Sequence, residues 1–236
     1  MFDAKKLLEQ FLGSQMPMGG GSVKDRAGQA AQLARDNPLK ATALAGLLLG
    51  TGTGRKLAGS ALKIGGLAAI AGLGYAAYRN YQAGKAPQAP AEAAQEIPKL
   101  LPPPSDSGFS IEPQAVSQDF ALMLIRAMIA AARADGHIDE NERAHIHERL
   151  ASSDLSSDVA AFIEKELSDP TDLDAIIGSA RTEEQKVELY TAVRLTIEPD
   201  TRAERGFLDL VAGRLGLPDA LLDHIDSTVA GAKVAV

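Results

Sequence analysis

The 236 residues contain no cysteine and no tryptophan. Without cysteine there can be no disulfide and no thiolate metal site, and the chain suits a reducing or an oxidising compartment equally. Aromatic residues make up only 4%, so a core has to be assembled from Leu, Ile, Val, Met and Ala. An alanine-rich composition poor in β-branched residues favours helix over sheet. A Gly-x-Ser-x-Gly elbow is missing, and no histidine stands beside a serine in a recognised frame, so nucleophilic catalysis has no support. The first twelve residues contain Asp3, Lys5, Lys6 and Glu9 and lack a long apolar run, so no signal peptide is expected there.

What is present divides into two materials. Residues 1–114 carry 12 Lys+Arg against 8 Asp+Glu, a net of +4, whereas residues 115–236 carry 12 against 23, a net of −11. An acidic back half repels nucleic acid, so no nucleic-acid partner is expected. The basic, Gly/Ala-rich front half has the charge to lie against anionic lipid.

Residues 1–56 read as an N-terminal helical region. Phe2, Leu7, Leu8, Phe11 and Leu12 have helical spacing with charges between them, a second helix fits 24–36, and 39–50 is apolar but short. The 50–56 stretch, Gly-Thr-Gly-Thr-Gly-Arg-Lys, lacks the Gly-Lys-Ser/Thr ending and the preceding strand of a phosphate loop, and is a break between apolar segments. Residues 57–83 then read as a transmembrane small-residue helix. Over 57–78 the only charge is Lys63, near one end, and Tyr75, Tyr78 and Arg79 close the other. Its 22 residues would reach about 33 Å, against about 30 Å of hydrocarbon. Ala61, Gly65, Ala69 and Ala68, Gly72, Ala76 recur every fourth residue, a spacing that lets helices approach closely. A homo-oligomer or a protein partner through this helix is therefore expected. The alternative is a Gly/Ala helix buried against protein.

Residues 84–114 hold seven of the twelve prolines and read as an extended linker. From 115 to 236 the pattern is all-α. Val116, Phe120, Met123, Ala127, Ala130 and Ala134 follow helical spacing, with Leu124, Ile125, Met128 and Ile129 on neighbouring faces, which predicts a central helix packed on several sides. Gly136 is the expected cap at its end. Further helices are predicted over 139–150, 156–168, 171–178, 182–197, 201–215 and 218–230. Thr182 with Gln185 and Thr201 with Glu204 form capping-box pairs, and Pro218 stands where a first turn tolerates it.

Two acidic turns carry the chemistry worth weighing. Asp135, Asp139 and Glu142 could be gathered by the turn between two helices, and such hard oxygen ligands suit Ca²⁺ or Mg²⁺. Glu198, Asp200 and Glu204 echo them some sixty residues later. The competing interpretation is ordinary helix capping, with Asp139 and Glu142 as one box. His145 and His147, two apart on a helix, cannot chelate together. His137 is better taken as a polar turn residue, and His224 has no histidine or cysteine near it in sequence.

The run 124–133 (Leu-Ile-Arg-Ala-Met-Ile-Ala-Ala-Ala-Arg) leading into 134–142, together with the second turn and 206–217, resembles the tellurite-resistance TerB-like domain. The order of small-residue segment, Pro-rich tether and helical domain resembles the YebE-like family of bacterial inner-membrane proteins. The resemblance implies a C-terminal seven-helix bundle and a divalent cation on Asp135, Asp139, Glu142, Glu198, Asp200 and Glu204. It also implies an inner-membrane location and a role in envelope or stress physiology. The resulting expectation is a membrane-anchored, non-enzymatic protein whose acidic domain binds a divalent cation or a protein partner. A scaffold or adaptor whose Gly/Ala segment packs on protein is the alternative, ahead of a metal-dependent hydrolase.

Overall fold

In the computed structural model, residues 4–5, 66–89, 103–109, 117–134 and 157–234 are described. Among them the architecture is all-α, with seven helices. These are α1 (Gly66–Gln82), α2 (Gln118–Ala132), α3 (Ser157–Ser168), α4 (Leu173–Ser179), α5 (Glu183–Thr196), α6 (Arg202–Leu215) and α7 (Asp219–Val234).

Local chemistry sets where the helices start and stop. The Ser117 side chain accepts from Phe120 N at 3.1 Å and opens α2. Asp172 does the same for α4 through Ala175 N at 2.9 Å. Both expected capping boxes are formed, Thr182 with Gln185 at the head of α5 and Thr201 with Glu204 at the head of α6. Each satisfies two amide groups that a first helical turn leaves without partners. α6 ends at Gly216, whose left-handed φ of 67° lets Leu217 N donate back to Ala212 O. α2 ends at Arg133 rather than Gly136. The Arg133 guanidinium reaches the carbonyls of Glu166 and Asp169, tying α2 to the end of α3.

α5 is the central element, buried over Val187–Arg194 without interruption. α2 packs along one side of it, with α4 and α3 beyond, while α6, α7 and α1 meet its other sides. α1 runs antiparallel to α5, since Tyr78 bonds Glu183 and Gly74 abuts Val187 and Thr191. It also runs antiparallel to α7, where Tyr81 meets His224 and Leu73 shares a cluster with Ala232. Ile70, Ala71 and Ala77 of α1 belong to the same hydrophobic core as Leu124 and Ile125 of α2, Leu189 of α5 and Ile225 of α7.

This overturns the transmembrane assignment. Ile70, Ala71, Leu73 and Ala77 are at most 1% exposed, and protein covers them. Among the residues of α1 whose burial is described, Tyr75, Tyr78, Arg79, Tyr81 and Gln82 leave a solvent strip, with the Arg79 guanidinium over the Tyr75 ring. No helix among the described residues is long and apolar enough to cross a membrane. A Gly/Ala stretch nearly free of charge is what a lipid span needs, and it is equally what a helix enclosed by other helices needs. Part of the proline-rich stretch also packs on the bundle, with Phe109 5% exposed against α1.

Candidate functional site

The second acidic turn lies between α5 and α6. Glu204 is buried, and its carboxylate accepts from Thr201 N at 2.8 Å while its own amide donates to the Thr201 hydroxyl at 3.1 Å. Arg205 donates to the carbonyls of Pro199 and Asp200, so a cation already sits on the turn. Glu198 is half-buried and Asp200 exposed. Among the described residues, no group of three or more His, Asp or Glu could hold a metal ion. Asp135, Asp139 and Glu142, together with His137, His145 and His147, lie outside the described residues. Nothing among the described residues supports the cation-binding role expected of the acidic domain, and in this turn hydrogen bonding and an arginine answer the charge.

A partly buried polar cluster at the junction of α5 and α7 escaped the sequence argument. Arg194, 6% exposed, donates from Nε to Asp226 at 3.1 Å and from an Nη to the Ile197 carbonyl at 3.0 Å. Lys233, in the last turn of α7, donates to the carbonyls of Arg194 and Ile197 at 3.3 and 3.1 Å. Two cations thus neutralise the carbonyl end of α5, where the helix dipole is negative. Burial, assisted by Arg194, lowers the Lys233 pKa to about 8, while Glu198, Asp226 and Asp200 act in the opposite sense. Burial raises Asp226, with Arg194 opposing it, and burial raises Tyr190, with Asp226 adding to the shift. Basic residues in the last turns of α5 and α7 are visible in sequence, but their convergence on one carbonyl is not.

His224 is buried, and its Nε2 lies 3.1 Å from the Lys85 carbonyl. Gly84, at φ 63°, turns the chain so that this carbonyl reaches α7. The histidine fastens the exit of α1 to α7 and stands in no metal-ligating group among the described residues. Across these clusters, polar side chains mostly join one helix to the next. Two buried side-chain atoms have no partner among the described residues, Asn80 Oδ1 and Thr191 Oγ1.

A family model described as protein of unknown function (DUF533) matches residues 35–229. A protein of Yersinia enterocolitica described as an uncharacterized protein in the ampR 5' region is 25% identical over 113 residues, covering 48% of this chain and 81% of that protein. No solved structure matches. The family matched carries neither a TerB-like nor a YebE-like description, so that identity is corrected, while the all-α, seven-helix architecture the resemblance implied agrees with the described residues. The inner-membrane placement and the membrane as partner lose their ground, because no helix among the described residues is long and apolar enough to cross a membrane. The homo-oligomer or protein partner expected through the small-residue helix falls as well. Ala69, Leu73 and Ala76 turn into the chain's own bundle, so their close-packing surface is already occupied.

Proposed function

From the premise that this chain belongs to the DUF533 family, we propose that it is a non-enzymatic helical scaffold whose Gly/Ala-rich helix packs on protein, namely on its own bundle. The burial of Ile70, Ala71, Leu73 and Ala77 between α5 and α7 carries this proposal. The disposition of polar groups supports it. Arg126 pairs with Glu166 at 2.7 Å between α2 and α3, Arg214 pairs with Asp174 between α6 and α4, and Arg194 pairs with Asp226 between α5 and α7. Cross-helix pairs that are partly exposed add little stability individually, but they fix the relative placement of helices. A fixed arrangement of helices is what a scaffold has to supply. Alkaline carbonate extraction of cell membranes tests the proposal. The full-length chain is expected in the released fraction, and retention in the pellet would count decisively against it.

A further inference from the structure

We infer that residues 103–109 are a latch, a preformed turn carrying one aromatic anchor, which opens and closes over the seam between α1 and α5 while the bundle stays folded.

The turn makes its own hydrogen bonds. Ser107 donates to the Pro104 carbonyl from its amide at 3.0 Å and from its hydroxyl at 2.6 Å, and the same hydroxyl oxygen accepts from Phe109 N at 3.4 Å. Gly108 adopts φ 78°, a left-handed conformation, and lies against the Glu184 side chain, where a Cβ would come within 3.0 Å of Cγ. That conformation and that spacing both call for glycine. Among the described residues, no hydrogen bond of the 103–109 segment reaches a helix. Attachment is by contact, and the Phe109 ring supplies its centre, meeting Tyr75 edge-on at 5.6 Å and Tyr78 at a tilt at 5.7 Å. Gly74 makes room for it, because a Cβ there would lie 3.5 Å from the Phe109 ring and 3.3 Å from both Thr191 Oγ1 and Val187 Cγ1.

Closure has a built-in opposing cost. Thr191 is fully buried at this seam and its hydroxyl has no partner among the described residues, a desolvation penalty comparable with a lost hydrogen bond. Lifting Phe109 lets water reach the seam and relieves that penalty, while the aromatic contacts of the closed form are lost. A segment seated through the Phe109 ring and the buried Pro103, with its hydrogen bonds kept internal, can leave as a unit without breaking any hydrogen bond of the helices.

The absence of tryptophan makes the test direct. In a full-length Phe109→Trp chain the single indole reports latch position by acrylamide quenching and emission maximum, while circular dichroism reports the helices. Exposure of the indole is expected at urea concentrations well below those that melt the helices, and adding Thr191→Val is expected to lower quenching several-fold by removing the unpartnered hydroxyl. Indole and helix transitions that coincide, with no effect of Thr191→Val, would overturn the latch. A Phe109→Ala chain gives an independent reading should the indole fit poorly. Retention of the helical signal and of one cooperative melt supports the latch, and collapse of the helical signal overturns it.

Discussion

α1 and α2 are both poor in charge, with Arg79 alone in the first and Asp119 and Arg126 in the second, yet they build the core by different means. α2 contributes bulk, with Phe120, Leu124, Ile125, Met128 and Ile129 buried, each worth about 1.5–3 kcal/mol when fully removed from water. α1 contributes proximity. Its alanines and glycines bring the backbone close to α5, and at Gly74 there is barely space for a methyl group. A helix of large apolar residues announces a core in its sequence. A helix of small ones leaves the partner open, because lipid-facing helices use small residues for the same close approach.

The comparison is broken most severely by a charge on α1. Ile70→Asp places an unpaired carboxylate at a site 1% exposed, and the expected result is unfolding of the whole bundle, seen as loss of the helical circular dichroism signal. Melting of α1 alone, with the rest intact, would separate the two helices energetically. Truncations sharpen the point, since Ile70→Ala and Leu124→Ala should each cost about 2–5 kcal/mol in a urea titration. A much smaller value for Ile70 would make α1 peripheral.

The pH dependence of stability tests the other end of α1's binding site, where α5 and α7 are joined. Lys233 has a folded-state pKa of about 8 against an ordinary 10.5. The unfolded chain therefore binds more protons than the folded one between those values. The contribution of Lys233 is fully present above pH 10.5 and is lost as pH falls through about 8. Unfolding free energies at pH 7 and 9.5 should show a rise with pH in the unaltered chain that is smaller in Lys233→Met. An equal rise in both chains would show that the lysine is not responsible.

Two smaller substitutions set proximity against propensity within α1. Gly72→Ala meets nothing within 4 Å and should stabilise by up to about 1 kcal/mol through helix propensity. Gly74→Ala places a methyl 3.3 Å from Thr191 and Val187, and should gain less or lose stability. Equal gains at both positions would mean that α1 is not tightly seated. Thr201→Ala, which removes the capping box of α6, should cost about 1 kcal/mol wherever α1 sits, and serves as the local reference.

Much of the fold was legible from short-range chemistry. The helices expected over 182–197 and 201–215 are α5 and α6 within a residue at each end, because their capping residues sit three apart in the chain. Pro218 likewise marks the start of α7. The candidate site was far less legible. Glu204 has the residue type and turn position of a ligand, but its carboxylate is engaged by an amide three residues away. Arg194, Asp226 and Lys233 stand up to 39 residues apart and look like ordinary helix-surface charges until α5 and α7 are laid side by side. His224, without a histidine or cysteine nearby in sequence, finds its partner 139 residues earlier, in a backbone carbonyl that has no sequence signature.

The sequence by itself determined that the chain is helical, where several helices begin, and that the small-residue segment over 57–78 must be largely kept from water, since all of these follow from side-chain type and spacing within a few turns. Only the tertiary structure decided what keeps α1 from water. Apolar transfer is non-directional and does not distinguish lipid from protein, so the choice between them rests on whether α5 and α7 present a matching surface. That surface comes from residues more than a hundred positions further along the chain.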